Sequence, residues 1–307
     1  MIRSPMWRSL LYVPVNVERY VAKAHTRGAD CILLDLEDSV PVAEKDHART
    51  LVARAAARVR AAGADVAVRI NQPLSLAVRD VEASVGPDVD ALALTKVEGA
   101  SHVRLLDALV TELEGRAGVE RGRTGFIVMI ETPAAYFDMA RIAAASERVV
   151  AMNIGGEDFA LACGMEPTEE ALFHPKQEMI FAARAAGISP LGYIGTVADF
   201  GNEQRFRDMV RRSRRLGFDG ASCVHPAQVR ILNEEYSPRP GELAYAERVL
   251  RESAAAAEAG RGSFSIDGRM IDAPIVERAR RLLEHARALD ARRHRASMGS
   301  SEDSARE

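Results

Sequence analysis

The chain has 307 residues, 47% of them hydrophobic, and 41 Lys and Arg stand against 44 Asp and Glu for a net charge of −3. That length fits one large domain or two ordinary ones, and the near-balance of charge excludes nucleic acid as the main partner, because a phosphate backbone demands a large basic excess. No apolar run approaches the about 18 residues that span a bilayer, the N-terminal MIRSPMWRSLLYVP lacks the apolar core of a signal peptide, and Cys31, Cys163 and Cys223 are too few and scattered for a disulfide framework or a zinc site; a reduced, cytoplasmic protein without a membrane is expected.

Short apolar runs alternate with longer segments of helical character. The runs are SLLYVPV, CILLDLE, VAVRIN, ALALTK, FIVMIE, VVAMNIG, LGYIGT and GASCVH. Each is aliphatic and short enough for a strand buried on both faces. Between them, stretches such as 16–27, 43–62, 100–116, 132–145, 174–187 and 202–217 carry Ala, Leu, Arg and Glu at helical spacing. Asn16 and Gly28 are candidate caps of the first helix, and Gly217 closes the helix before the last strand. Strict alternation of strand and helix implies a parallel sheet, and eight such units predict a closed (β/α)8 TIM barrel over residues 1–236. An open doubly wound sheet is the alternative, without its dinucleotide version, since no G-x-G-x-x-G follows a strand.

After His225 the pattern changes. SPRPGE reads as a linker, 241–259 as an Ala-rich helix, GSFSIDGRM as a hairpin with Asp-Gly at its tip, and DAPIVERARRLLEHARAL as a further helix. Residues 237–290 are too few for a core of their own and are expected to form a C-terminal lid-like appendage. Residues 291–307 are polar and expected to be disordered. The basic run RRSRR at 211–215 reads as a solvated helix face.

In a barrel of this kind the active site lies at the C-terminal ends of the strands, and the charged residues collect there. Glu37 and Asp38 end the second strand, Arg69 and Asn71 the third, Lys96 the fourth and Glu131 the fifth; Gly155, Gly156 and Asp158 follow the sixth and His225 the eighth. One charged strand end would be an ordinary solvated loop; six repeating the pattern mark a site. Carboxylates without Cys and with few His suit a hard cation, magnesium or else manganese, with Glu131 and Asp158 as candidate ligands. Arg69 offers a planar fork for a substrate carboxylate. The glycines of NIGGED, Gly155 and Gly156, let backbone N–H groups approach an anion, although alone they would read as a tight turn.

The segments RSLLYVP, LLDLEDSV, EKDHAR, VRIN, MIETP, NIGGEDF, LGFDGASCVHPAQV and GRMIDAP, in order from residue 7 to residue 285, resemble the citrate lyase beta-subunit family, which includes malyl-CoA and citramalyl-CoA lyases and belongs with the HpcH/HpaI aldolases. The resemblance implies a magnesium-dependent carbon–carbon lyase that acts on an acyl-CoA and an α-ketoacid. It implies Glu131 and Asp158 as metal ligands, Arg69 as the substrate-carboxylate arginine, and Glu37 and Asp38 as acidic neighbours of the metal acting through water. Tyr12 and Lys23 fall where related lyases contact coenzyme A, and Val224 and His225 where the acyl-CoA approaches. Asp272, which by itself would read as a helix cap before Ala273-Pro274, matches an aspartate that handles the proton from a neighbouring subunit's lid, so a homotrimer or hexamer is implied. Val15 and Val17 stand where the family carries a glycine and an arginine, with Arg19 as the nearest replacement, and Ile194 stands where many relatives carry an aspartate. Three rivals follow: a beta subunit acting on a carrier-bound acyl group, an aldolase that needs no coenzyme A, and a non-catalytic binding protein.

Overall fold

The computed structural model describes residues 5–196 and 201–303, the last of them, 293–303, by backbone alone. The chain divides into two compact units, Met1–Tyr236 and Ser237–Glu307.

In the first unit eight parallel strands alternate with helices: β1 (Ser9–Pro14), α1 (Glu18–Ala24), β2 (Cys31–Asp35), α2 (Lys45–Ala61), β3 (Asp65–Ile70), α3 (Leu74–Ser84), β4 (Ala91–Leu94), α4 (Ala100–Ala117), β5 (Gly125–Ile130), the short α5 (Pro133–Phe137) and α6 (Met139–Ala143), β6 (Val149–Ile154), α7 (Gly156–Cys163), α8 (Glu169–Ala186), β7 (Ser189–Pro190), α9 (Glu203–Leu216), β8 (Ala221–Cys223) and α10 (Pro226–Glu235). The strand order is β7-β6-β5-β4-β3-β2-β1-β8. Its two ends meet. Leu191 bridges Gly220 in parallel, the Gly192 N–H donates to the Gly220 carbonyl at 2.7 Å, and the Asp219 N–H donates to the Pro190 carbonyl at 3.0 Å. The sheet is therefore a closed barrel rather than an open doubly wound layer.

Period-two alternation sorts the strand residues into two apolar layers. Leu10, Leu33, Ile127 and Met129 fill the barrel, where Ala67, Ala91, Ala93 and Ala151 leave them room. Ile32, Leu34, Val68, Leu92 and Val128 face the helices. The N-terminal pole of the barrel is tied by buried ion pairs. Arg8 grips Asp30 through Nε and Nη2 at 2.8 and 2.7 Å, and Arg148 meets both oxygens of the buried Glu114 at 2.8 and 2.7 Å. Paired charge at this pole serves stability, which leaves the opposite pole for chemistry.

Three expectations need revision. The seventh strand is Ser189–Pro190, not LGYIGT: Gly192 turns the chain with φ at 136°, and 193–196 leave the sheet. The helix expected at 132–145 breaks at Asp138 into α5 and α6. The first helix is capped by position Val17 rather than Asn16, whose Nδ2 instead donates to Glu44 at 2.5 Å; Gly28 (φ 70°) and Gly217 (φ 115°) do stand at left-handed helix ends.

The second unit consists of α11 (Pro240–Glu258), an antiparallel hairpin of β9 (Phe264–Ile266) and β10 (Arg269–Ile271), and α12 (Ala273–Asp303). The hairpin turns on Asp267 and Gly268, both with positive φ (49° and 77°), as a two-residue turn of this twist requires. Contrary to the expectation from its length, this unit buries a small cluster of its own, including Val249, Ile266 and Ile271. Of the polar stretch 291–307, expected to be disordered, the backbone is helical as far as Asp303, and 304–307 lie outside the described residues. Among the described residues no helix is long and apolar enough to cross a membrane.

Barrel closure makes one glycine indispensable. A Cβ at Gly220 would lie 1.8 Å from the Trp7 carbonyl oxygen, a backbone atom that cannot rotate away. Gly220→Ala is expected to destabilise by about 3 kcal/mol or more, in the range of severe overpacking, read as a lower midpoint in urea unfolding; an unchanged midpoint would mean that the seam is not closely packed there.

Candidate active site

Asp35 is the last residue of β2 and faces Arg69 in the parallel register of β2 with β3. Arg69 donates from Nε and Nη2 to the two Asp35 oxygens, both at 2.7 Å. The same carboxylate accepts the Glu37 and Ser39 N–H groups at 2.9 and 3.3 Å, which folds LEDS into a tight turn at the strand end. Burial pushes the Asp35 carboxyl up, but Arg69, the Ser39 hydroxyl and the Glu37 N–H outweigh it and hold it below the usual carboxylate range. Beneath the guanidinium lies the Tyr12 ring, with the Arg69 carbon 4.7 Å from its centroid; burial pushes the Tyr12 hydroxyl up to about 12, against Arg69.

This arrangement refines the expected role of Arg69. Its Nε–Nη2 edge is committed to Asp35. The Nη1 side meets Glu37 at 3.0 Å and Asp38 at 3.5 Å, so a substrate carboxylate would be received end-on, in competition with those two side chains.

Lys96 follows β4 with a left-handed backbone, φ 47°. That conformation is costly for a side chain other than glycine, and it places two groups of one residue among the carboxylates. The Lys96 N–H donates to Glu131 at 2.5 Å. Its ammonium meets Glu37 at 2.7 Å and Asp158 at 3.5 Å. Glu131, which follows β5, is 3% exposed. Burial, reinforced by Asp158 and Glu37 and opposed by Lys96, raises its carboxyl to about 7. Burial also raises Glu37, against Arg69 and Lys96.

Gly155 caps α7, and a Cβ there would sit 2.3 Å from Glu131 Oε1. The glycine is therefore needed so that the Glu131 carboxylate can lie against the turn. Its N–H, expected to face an anion, is instead donated to the Ile130 carbonyl at 3.1 Å. Gly156 opens the first turn of α7, and its N–H, like the first N–H groups of any helix, has no intrahelical acceptor.

Tyr12, Asp35, Arg69, Glu131, Gly156 and Asp158 line one cavity of about 810 Å³ at the C-terminal mouth, together with Val224, His225 and Asp38, whereas Lys96 and Glu37 stand behind its lining. His225 caps α10, its Nδ1 accepting the Ala227 N–H at 3.2 Å. From α1 the cavity takes Tyr20 and Ala24, with Arg27 just beyond. Lys23 is exposed and is not among the lining residues, since it sits one position off the stripe defined by Tyr20 and Ala24. Val15 and Ile194 are both buried at 2% exposure and serve as core. Asp272 belongs to the second unit, where its carbonyl accepts the Ile275 and Val276 N–H groups at 3.1 Å as the residue before α12, and it is exposed.

Lys176 was given no role by sequence reasoning. It lies on α8, lines the cavity, and is 4% exposed. Its ammonium donates to the Tyr193 and Gly195 carbonyls at 2.8 and 2.5 Å, tying the segment after β7 to the helix. Burial, opposed by Glu157 and Glu169, lowers it to about 7. The signal was present: Leu172, Lys176, Met179, Ile180 and Ala183 form the buried stripe of α8, so the lysine occupies a core position of an amphipathic helix.

Among the described residues no three His, Cys, Asp or Glu side chains converge as a metal cage. A pair of carboxylates, Glu131 and Asp158, fits magnesium, which keeps water and substrate oxygens in the rest of its shell. The raised Glu131 carboxyl, crowded by Asp158, marks a place where added positive charge is favourable.

A family profile described as HpcH/HpaI aldolase/citrate lyase matches residues 8–226. The chain is 33% identical over 284 residues to the citrate lyase subunit beta of Leuconostoc mesenteroides, covering 92% of this chain and 93% of that one. It is 32% identical over 310 residues to an L-malyl-CoA/beta-methylmalyl-CoA lyase of Cereibacter sphaeroides, covering 92% and 96%. The fold is similar to the crystal structure of CitE from Mycobacterium tuberculosis in complex with magnesium, acetoacetate and coenzyme A, at TM-score 0.72 and 29% identity over 91% of this chain and 97% of that one. The chain belongs to the HpcH/HpaI aldolase/citrate lyase family.

The displaced Glu131 carboxyl has a consequence for stability. Its folded value, about 7, lies above the ordinary 4.5, so the folded state binds more protons between those values, and stability falls as pH rises through them. Glu131→Gln keeps an acceptor for the Lys96 N–H and removes the cost. The metal-free variant should be more stable than the parent at pH 8, by on the order of 1–3 kcal/mol, with the gap closing at pH 5. Scanning fluorimetry at the two pH values checks this; an equal gap at both would place the effect outside the titration.

Proposed function

We propose that this protein is a carbon–carbon lyase of the oxo-acid-lyase type, dependent on magnesium, with manganese as a substitute. It cleaves, or in reverse condenses, a 3-hydroxyacyl-CoA that carries a carboxylate on its hydroxyl carbon, and the products are a short acyl-CoA and an α-ketoacid. The observation that carries this reading is the gathering of Arg69, Glu131, Asp158 and Gly156 on one cavity at the C-terminal mouth of the barrel.

Glu131 and Asp158 would hold the metal, which when bound supplies Lewis-acid polarisation of the ketoacid oxygens. Arg69, fixed by Asp35, and the Gly156 N–H orient the substrate carboxylate before the chemistry begins. In the cleavage direction the hydroxyl gives its proton to solvent, the C–C bond breaks, its electron pair passes to the carbon next to the thioester, and protonated Asp272 gives that carbon a proton. In the condensation direction Asp272 removes that proton as general base. Glu37 and Asp38 hold water and charge beside the metal. Tyr12, Val224 and His225 flank the path of the acyl-CoA. The protein works as a homotrimer or a multiple of it, in the reduced cytoplasm, a setting consistent with three free cysteines.

A carrier-bound acyl group is the second reading, and one observation favours it. Lys23, expected on coenzyme A, lies outside the cavity lining, and Val15 is core, so the nucleotide end has fewer partners than the acyl end. Turnover of malyl-, citramalyl- or citryl-CoA by the purified protein with magnesium supports the coenzyme A reading; turnover only of an acyl carrier protein supports the other.

Three variants probe the assigned roles. Glu131→Ala and Asp158→Ala should each abolish turnover in a folded protein; full activity of both in chelator rules out the metal role. Arg69→Lys retains charge but loses the fork that grips Asp35, and catalytic efficiency should fall roughly ten- to a hundredfold, the worth of a hydrogen bond to a charged group. Unchanged kinetics would remove Arg69 from substrate binding.

Asp272→Ala should be inactive alone yet complement Glu131→Ala after subunit exchange, if the lid of one subunit serves the barrel of another. Random mixing should restore on the order of a quarter of the parent activity, because each site draws its barrel and its lid independently. No recovery in samples shown by mass spectrometry to have exchanged would place Asp272 over its own barrel or outside the reaction.

A further inference from the structure

Lys45 is the first residue of α2 and is only 8% exposed. Its ammonium donates to the Leu36 and Glu37 carbonyls, both at 2.9 Å. Burying an ammonium is costly unless it is hydrogen-bonded, and the two bonds that offset the cost both go to the loop after β2. The Leu36 carbonyl also accepts Asn71 Nδ2 at 2.9 Å, and the fully buried Asp80 holds Asn71 through its N–H at 2.8 Å. The N–H groups of the loop point the other way. Glu37 donates to Asp35 at 2.9 Å, and Asp38 donates to Glu37 Oε2 at 3.0 Å. Both peptide groups that flank the Glu37 Cα are therefore tied, and Lys45 holds the carbonyl of each.

The Glu37 carboxylate so placed takes the Lys96 ammonium at 2.7 Å, whereas Asp158 stands 3.5 Å from that ammonium. Glu37 thus draws Lys96 away from Asp158, one of the two carboxylates assigned above to the metal. An ammonium and a divalent ion compete for the same carboxylate oxygens. If the loop could shift, Glu37 would move out of reach. The Lys96 ammonium, a point charge on a flexible four-carbon stem, would then settle on Asp158.

We propose that Lys45 is a positioning residue for the metal site. By fixing the main chain of Glu37 it keeps that carboxylate on Lys96, and so keeps the Lys96 ammonium off Asp158. This rests on the assignment of Glu131 and Asp158 to a divalent ion and goes beyond it, because it names what holds a competing cation away.

Titration of the full chain with manganese, with the free ion followed by electron paramagnetic resonance, tests the proposal without turnover. Lys45→Met should weaken manganese binding roughly tenfold, the worth of one hydrogen bond to a charged group. The sign is diagnostic. Removing a positive charge from behind the acids would by itself tighten cation binding, and a purely structural lysine would lower thermal stability and leave the affinity alone. In a Lys96→Met background the competitor is gone, so Lys45→Met should no longer weaken binding. Unchanged or tighter binding by Lys45→Met, or a loss that persists in the Lys96→Met background, would overturn the inference and leave the metal assignment intact. No manganese binding by the folded parent would overturn both. Lys45→Gln keeps a donor for one of the two carbonyls, and if Lys45→Met does not fold it is judged by the same outcomes, with a smaller loss expected.

Discussion

Asp35 and Arg69 face each other in register across β2 and β3, and the mouth of the barrel is organised around that bidentate pair. Both partners are largely buried, so neither can be lost alone: removing one member of a buried pair costs about 3–5 kcal/mol because the other is left uncompensated. The pair does three things at once. It turns the chain from β2 into the loop that carries Glu37 and Asp38, through the N–H groups that Asp35 accepts. It fixes the guanidinium plane over Tyr12. It also leaves the Nη1 side of Arg69 as the one not bound to Asp35. A side chain in a site is only as well placed as the residues that hold it, and here the holder is the neighbouring strand itself.

The two poles of the barrel use charge in opposite ways. At the N-terminal pole, arginines meet carboxylates with well-aligned geometry, as Arg148 does with Glu114, and Glu114 is held below the usual range by Arg148 and two backbone N–H groups despite its burial. At the C-terminal pole the carboxylates outnumber their partners. Asp35, Glu37, Asp38 and Asp158 are in ionic contact with Arg69 or Lys96, and Glu131 adds a further acid. The one pole is satisfied and stabilises the fold. The other is left short of positive charge, which is a property of sites rather than of scaffolds.

Much of this was legible in the sequence, and the rest was hidden for identifiable reasons. Barrel topology followed from eight apolar runs spaced by helices, because parallel strands buried on both faces leave little else in their composition. That Glu131, Asp158 and Arg69 share one cavity was legible because each stands at or just past the end of an apolar run. Asp35 stood in the same run but was not read as part of the site; its role depends on cross-strand register, which residue order alone does not show. Lys176 fell inside the helical stretch 174–187 but was not read as part of the site, because a lysine on a helix reads as a solvated side chain and only the packing of α8 shows that it joins the buried stripe. The seventh strand was misplaced because Gly192 and Gly195 flank residues as apolar as a strand, and only the turn at Gly192 reveals that the chain has left the sheet. At Gly155 the missing side chain makes room for Glu131, a close approach that residue order alone does not show.

The shortage of positive charge explains why Lys96 carries its unusual backbone. A lysine reaching in from a loop could neutralise one carboxylate; with φ at 47° this residue gives its N–H to Glu131 and its ammonium to Glu37 and Asp158. The strain of that conformation is of order 1–3 kcal/mol, and it persists because three acids hold it. Even so, the compensation is incomplete, since Glu131 remains raised to about 7. The chain therefore brings the acids together, supplies part of the counter-charge from its own backbone and side chain, and leaves a remainder. That remainder is the free energy available to a divalent ion: binding N but not U stabilises the fold by an amount set by ion concentration over its dissociation constant. An ion held there, as proposed, would complete the electrostatics of the mouth as well as activate the substrate.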